Sequence, residues 1–135
     1  MNKKVLYLVT EDWFFCSHWL NIAKHAKING FDVVVITRVR NHREQIERLG
    51  FKLISINWER KSLNPFRALV NVWQINKILR AEKPDILHNM AIKCIVFGNF
   101  AALFCNVTAV VNSITGLGFI FHSNTLKMRL IRPFF

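Results

Sequence analysis

The stretch whose reading decides the fold is Val5–Thr37, VLYLVTEDWFFCSHWLNIAKHAKINGFDVVVIT. It opens on an apolar run, Val5–Thr10, and closes on another, Asp32–Thr37. Apolar runs of this length without polar alternation fit strands covered on both faces. Between them Trp19, Ile22, Ala23 and Ala26 recur at helical spacing. Ser17 is placed to cap that helix, and Asn29-Gly30 to end it. Strand, helix and strand in this order predict a βαβ unit with a parallel pairing.

The alternation continues outward. Asn41 with Glu44 three residues on resembles a capping box, and Gly50 closes a short helix before a third strand, Lys52–Ile56. The junctions Gly30-Phe31 and Gly50-Phe51 echo each other. After a basic loop, Asn57–Leu63, Asn64-Pro65 reads as an N-cap with proline in the first turn. Phe66, Leu69, Val70 and Trp73 form one apolar face of that helix, which runs to about Ala81. Pro84-Asp85 introduces a fourth strand, Ile86–Asn89. A buried helix, Lys93–Cys105, and a fifth, buried strand, Ala109–Asn112, follow. A Thr115-Gly116-Leu117-Gly118 turn and a helical segment, Asn124–Leu130, come last. The expectation is an α/β fold, a Rossmann-like three-layer sandwich with a parallel sheet. The ending Arg132-Pro133-Phe134-Phe135 leaves a helix just begun, so the domain is expected to be cut short.

Composition bounds the function. The 135 residues make one domain at most. At 52% hydrophobic, with twelve Phe and four Trp, the chain has the means to build a core, which excludes wholesale disorder. A formal net charge of +11 points to a polyanionic partner, either nucleic acid, an anionic membrane or a phosphate-bearing substrate, and a basic surface kept for solubility is the plain alternative. Cys16, Cys94 and Cys105 are odd in number and unpaired in spacing, which argues against a disulfide scaffold and a zinc site. They read as reduced small hydrophobes. Lys3 and Lys4 precede an apolar run too short for a secretory signal. Cys94–Val111 approaches the length of a membrane span, but Asn99, Asn106 and Thr108 interrupt it, and it reads as buried helix plus strand.

Ligands of such sheets bind at the carboxyl ends of the strands. Glu11–His18, Arg38–Asn41, Asn89–Lys93 and Asn112–Gly118 fall there. No G-x-G-x-x-G follows the first strand, so the dinucleotide fingerprint is missing. His18 is expected to open the first helix, where it can add a donor to an anion site; a partly buried structural histidine is the alternative. Lys93 at a helix start opposes the dipole and makes sense beside an anionic ligand, or as a solvated side chain. His88 reads as a satisfied core histidine. Glu11 and Asp12 serve as acid/base or sugar-hydroxyl ligands, or are two solvated carboxylates. Gly116-Leu117-Gly118 is a tight turn or a place of close ligand approach. The stretch Arg38–Arg67 carries eight Lys and Arg against three acids, a net +5, with Trp58 and Phe66 interleaved. That surface, including Arg38, Arg40, Arg43, Arg60, Lys61 and Arg67, suits an anionic bilayer or a nucleic-acid backbone. No helix-turn-helix, RNA-recognition or finger pattern accompanies it, so nucleic acid is the less favoured partner.

Together, VLYLVTEDWFFCSHWLNIAKHAKINGFDVVVITRV, SLNPF, KPDILHNMAIKCIVFG and VNSITGLGFIF resemble the N-terminal half of glycosyltransferase family 4 enzymes with the GT-B fold, in particular those that build bacterial surface glycans on undecaprenyl diphosphate. The resemblance implies an acceptor-binding domain, facing a donor-binding domain that takes a nucleotide sugar. It implies metal-independent, retaining transfer, with the nucleotide sugar as co-substrate and no further cofactor. It implies a peripheral place on the cytoplasmic face of the plasma membrane. By motif, His18, His88, Lys93 and the Gly116-Leu117-Gly118 turn match family positions. The substrate-binding set is then Glu11, Asp12, His18, Lys93, Asn112, Thr115, Gly116 and Gly118. This chain departs from the family pattern in three places. The first loop lacks glycine. Met90 stands where some relatives carry a second His, so no catalytic residue is assigned. No pair of acids has the spacing of the donor motif, and the donor half is expected to come in cis or in trans. The isolated chain is expected to be inactive. A subunit of a split glycosyltransferase and a basic Rossmann-type nucleic-acid module are the competing expectations.

Overall fold

Two apolar cores, one on each face of a single sheet, organise the chain. The computed structural model describes residues 3–57 and 64–114. Five strands form the sheet: β1 (Lys4–Glu11), β2 (Asp32–Arg38), β3 (Lys52–Ser55), β4 (Ile86–Met90) and β5 (Ala109–Ser113). Every pairing is parallel and the order is β3-β2-β1-β4-β5. The chain therefore winds outward from β1 to one edge, then crosses back to build the other. The switch in direction lies between β1 and β4, where open α/β sheets carry their ligands.

The helices are α1 (Asp12–His18), α2 (Leu20–Ile28), α3 (Arg43–Glu47), α4 (Pro65–Glu82) and α5 (Ile92–Ala102). Period-two alternation divides each strand between the cores. Leu6, Leu8, Val34, Ile36 and Leu87 face Ile75 and Leu79 of α4 and Cys94 and Ala101 of α5. Val5, Tyr7, Val9, Val33 and Val35 face Phe15, Ala23 and Ile46 from α1, α2 and α3. The three-layer α/β expectation holds.

Several local expectations do not. Glu11 is the last residue of β1 and Asp12 the first of α1, so the segment Glu11–His18 after the first strand is not a loop. Ser17 caps nothing; it lies inside α1, and its Oγ donates to the Trp13 carbonyl at 2.8 Å. Asp12 makes the earlier start possible, because its Oδ1 accepts from the Trp13 N–H at 2.8 Å. The capping box at Asn41 does not form either, since α3 is capped by His42 without a side-chain bond. The cap at α4 is as expected: Asn64 Oδ1 accepts from Phe66 N at 3.0 Å, with Pro65 beginning the helix.

The apolar face of α4 is a larger correction. Phe66, Leu69, Val70 and Trp73 point to solvent, with Phe66 at 77% and Trp73 at 61% exposure. The buried stripe is instead Asn71–Ile75–Leu79, at i, i+4 and i+8. On α5 only Cys94, Gly98 and Ala101 are buried, while Val96 and Phe100, with Leu103 and Phe104 just beyond the helix, are exposed. β5 is the outer strand of the described sheet, so Val110 and Val111 are exposed rather than covered. No helix of the described residues is long and apolar enough to cross a membrane. The turn at Thr115, Gly116 and Gly118 and the segment Asn124–Leu130 lie outside the described residues.

Candidate functional site

The carboxyl edge of the sheet gathers most of the polar residues singled out above, but it divides them between structural and open positions. Asp12 is fully buried. Its Oδ2 accepts from the backbone N–H of Arg40 at 2.7 Å and of His42 at 3.0 Å. Burial pushes the carboxyl up, but the N–H groups of Arg40, His42 and Trp13, helped by the His42 ring, outweigh it and hold the group below the ordinary carboxylate range. Asp12 thus ties the start of α1 to the segment after β2. Glu11 is buried beside it and forms ion pairs with Arg40 Nε at 3.2 Å and Arg38 at 3.9 Å. Neither carboxylate is solvated.

His18 closes α1 rather than opening a helix. It is exposed, stacks on Phe14 with ring centroids 4.5 Å apart, and its Nδ1 lies 3.3 Å from the Phe14 carbonyl oxygen. It stands at the junction of two helices, since Trp19 is both the C-cap of α1 and the N-cap of α2. His88 is half-buried between Tyr7 and Trp19, and its Nε2 lies 2.6 Å from Ser113 Oγ. Burial pushes its imidazole below the usual range. Burial likewise raises the Cys16 thiol, with the Asp12 charge adding to it, and raises Cys94 further, so neither is poised as a thiolate nucleophile.

An amide cluster joins β4, α5 and β5. Asn89, fully buried, donates from Nδ2 to Asn112 Oδ1 at 3.0 Å and to Asn99 Oδ1 at 3.3 Å. Asn112 is therefore held from inside the fold. Gly98 makes room for this cluster, because a Cβ there would lie 2.0 Å from Asn89 Oδ1. The next turn of chain is strained. Ala91 sits at φ 78, ψ 160, a region otherwise almost confined to glycine. Its N–H donates to the Ser113 carbonyl at 3.1 Å and its own carbonyl accepts from Ile95 N at 3.0 Å, which hold it in place. This residue delivers the chain from β4 into α5 and fixes where Lys93 emerges.

Lys93 opens onto a pocket of about 380 Å³. Phe66, Arg67 and Ala68 from the first turn of α4, Asn71 and Gln74 one and two turns on, Asn57 after β3, and Phe97 below Lys93 line it. The Lys93 ammonium lies 5.7 Å from the Phe97 ring centroid. Two cations and the first turns of two helices favour negative charge in this space. Gln74 Oε1 is buried without a hydrogen-bond donor. Among the described residues, no three His, Cys, Asp or Glu side chains are placed to hold a metal ion.

Of the described residues expected to bind substrate, only Lys93 lines this pocket. The described basic residues do not share one face. Arg38 and Arg40 pair with Glu11, and Arg43 pairs with Glu47 at 3.0 Å. Arg67 belongs to the opposite helix layer, and Arg60 and Lys61 lie outside the described residues. Sequence reasoning missed Asn57, Asn71, Gln74 and Phe97. The signal for Asn71 was present: an amide stands in the buried i, i+4, i+8 stripe where the helical period calls for an apolar side chain.

The sequence profile of glycosyl transferase 4-like proteins matches residues 4–134. The chain belongs to this family. It is 30% identical over 111 residues to the N,N'-diacetylbacillosaminyl-diphospho-undecaprenol alpha-1,3-N-acetylgalactosaminyltransferase of Campylobacter jejuni, a match that covers 82% of this chain and 30% of the relative. Among solved structures, it resembles a glycosyltransferase from Rickettsia africae with a TM-score of 0.68 at 19% identity, over 93% of this chain and 34% of that one. It also resembles MurG of Acinetobacter baumannii, with a TM-score of 0.62 at 15% identity, over 82% and 35%. The structural likenesses establish the fold. This glycosyl transferase 4-like chain spans about a third of the length of these relatives.

Proposed function

We propose that this chain is the acceptor-side domain of a glycosyltransferase that moves a sugar from a nucleotide-sugar donor to a lipid-linked or cell-surface glycan acceptor. The donor-binding half is supplied in cis or in trans, and the nucleotide sugar is the co-substrate, with no other cofactor. The domain works peripherally on the cytoplasmic face of the plasma membrane. Family membership supports the reaction class, and the named activity of the Campylobacter relative supports the lipid-linked acceptor.

The observation that carries the membrane reading is the exposed face of α4. Phe66, Leu69, Val70 and Trp73 are all solvent-exposed on a helix whose charged residues before Glu82 are the cations Arg67, Lys77 and Arg80. Lys77 lies 5.3 Å from the Trp73 ring centroid. Glu82 is occupied by Lys4 at 3.1 Å and by Lys52. An apolar face flanked by cations alone suits an anionic lipid surface. This replaces the charge-rich Arg38–Arg67 stretch as the contact, since much of that stretch is spent on internal ion pairs.

Two measurements test the reading. In flotation, the chain should bind phosphatidylglycerol vesicles and not phosphatidylcholine vesicles, and Trp73→Glu should abolish binding. Equal binding to both lipids refutes the membrane part. In equilibrium binding, the chain should retain a polyprenyl-diphospho-sugar in detergent and not a nucleotide sugar. The opposite preference would assign it to the donor side.

A further inference from the structure

The short helix α1 turns an array of rings outward at the carboxyl edge of the sheet. It leaves the end of β1, one of the two strands that flank the switch in strand order, so what it exposes stands where ligands of this fold bind. Trp13 is 41% exposed, and its ring meets Phe14 edge-on with centroids 5.9 Å apart. Phe14 in turn stacks on the exposed His18. Single exposed apolar side chains are ordinary, but a connected plate of three rings is not. The plate is also held from behind. The Trp13 N–H donates to Asp12 Oδ1 at 2.8 Å, and the Trp13 carbonyl accepts from Ser17 Oγ at 2.8 Å. Asp12 is itself anchored to the backbone of Arg40 and His42. The buried carboxylate thus builds the mount, and the ring beside it faces outward.

We propose that Trp13 is a stacking platform for one pyranose ring of the acceptor glycan. A pyranose has a face of C–H groups and a rim of hydroxyls, so it fits where an aromatic face lies beside hydrogen-bonding groups. Both are present on α1. Ser17, four residues on from Trp13, shares its side of the helix, and its hydroxyl keeps lone pairs for a further donor. When His18 Nδ1 donates to the Phe14 carbonyl, Nε2 is left as an acceptor for a sugar hydroxyl. A lipid surface fits this place less well. The exposed residues of α1 are Trp13, Ser17 and His18, two of them polar, and α1 packs on the sheet face opposite α4. The platform presupposes the acceptor-side reading and gives the sugar, rather than its carrier, a place on the molecule.

The test uses the full 135-residue chain and the methyl β-glycosides of glucose, galactose, N-acetylglucosamine and N-acetylgalactosamine, followed by NMR. At least one glycoside should bind, and its ring C–H signals should shift upfield, as they do over an aromatic face and not beside hydrogen-bonding groups alone. On the protein, the indole N–H signal that is missing from Trp13→Phe should be the one that moves. Trp13→Ala should weaken binding about tenfold or more, and Trp13→Phe, which keeps a ring, only about threefold. Trp13 lies at the surface, so Trp13→Ala should melt close to the wild type. If it does not, the upfield shifts in the wild type and the binding kept by Trp13→Phe still decide. Failure of all four glycosides to shift overturns the platform, as does binding that Trp13→Ala leaves intact. Loss of phosphatidylglycerol-vesicle binding in Trp13→Ala, with no glycoside bound by the wild type, makes the ring a lipid anchor instead. If a polyprenyl-diphospho-sugar binds and Trp13→Ala does not weaken it, the platform falls while the acceptor-side reading stands. If a glycoside stacks on Trp13 yet the chain retains nucleotide sugar and not the lipid-linked one, the platform stands as a sugar site and the acceptor-side reading falls.

Discussion

Gly98→Ala is the sharpest test of how this chain is packed at its ligand edge. The substitution adds one methyl group in the middle of α5. That methyl would meet Asn89 Oδ1 at 2.0 Å, Cγ at 2.7 Å and Nδ2 at 2.9 Å. Ordinary contact begins at 3.4 Å, so Oδ1 must move by over an ångström and the rest of the amide must give way with it. Asn89 is fully buried and its two bonds, at 3.0 and 3.3 Å, do not survive such a shift. Two lost hydrogen bonds amount to about 2 kcal/mol, and stranding a buried amide adds about 1–3 kcal/mol. Alanine returns about 1 kcal/mol of helix propensity. The net expectation is a loss of about 3 kcal/mol, read from urea midpoints at constant m-value. In an Asn89→Ala background the obstruction is gone, and Gly98→Ala should stabilise by roughly 1 kcal/mol. The reversal of sign is the signature, with a coupling of about 4 kcal/mol between neighbours. A neutral Gly98→Ala, or the same effect in both backgrounds, refutes the reasoning.

Three further outcomes follow from the same edge of the sheet. Ala91→Gly should raise stability by about 1 kcal/mol in thermal unfolding, because glycine adopts the observed φ of 78 without the strain that alanine bears. Asp12→Asn should cost about 2–3 kcal/mol at neutral pH by removing a charged acceptor from three backbone N–H groups. The native carboxyl titrates below its unfolded value of about 3.9, so this contribution is complete above that pH and is lost as pH falls through the folded value; urea titrations should show the two proteins converging in acid. His88 has a folded pKa depressed by burial, so protonation opposes folding. Stability should be full above its unfolded value of about 6.5 and decline below it, and His88→Gln should remove that slope between pH 7 and 5.

The alternation of strand and helix was readable because each apolar run sits between unmistakable breaks: Asn29-Gly30, Gly50 and Pro84-Asp85. The parallel sheet follows from that rhythm. What could not be read was direction. Phe66, Leu69, Val70 and Trp73 have the spacing of a core face, yet Asn71, Ile75 and Leu79 are the residues that turn inward. Periodicity reports that a helix has an apolar side; it does not report what covers it. The acids Glu11 and Asp12 misled for a related reason. Their partners, Arg38, Arg40 and the backbone of His42, come from the next strand and its exit, at a distance no local pattern encodes. Of the site, Lys93 was visible from its place at a helix start, whereas Asn57 and Gln74 join it only once the layers close.

The place of β1 in the sheet has a consequence for how the chain comes to be folded. Val5 pairs with Val33 on one side and with Ile86 on the other. During synthesis the first 57 residues can assemble β1, β2 and β3 under α1, α2 and α3. Their other surface, built on Leu6, Leu8, Val34 and Ile36, waits for α4 and α5. One edge of β1 also stays unpaired until β4 emerges. A nascent chain halted before Pro65 thus carries a greasy sheet face and an open strand edge, the features that invite aggregation and chaperone capture. The first strand to be made is thus enclosed only after β4 and α5 have emerged.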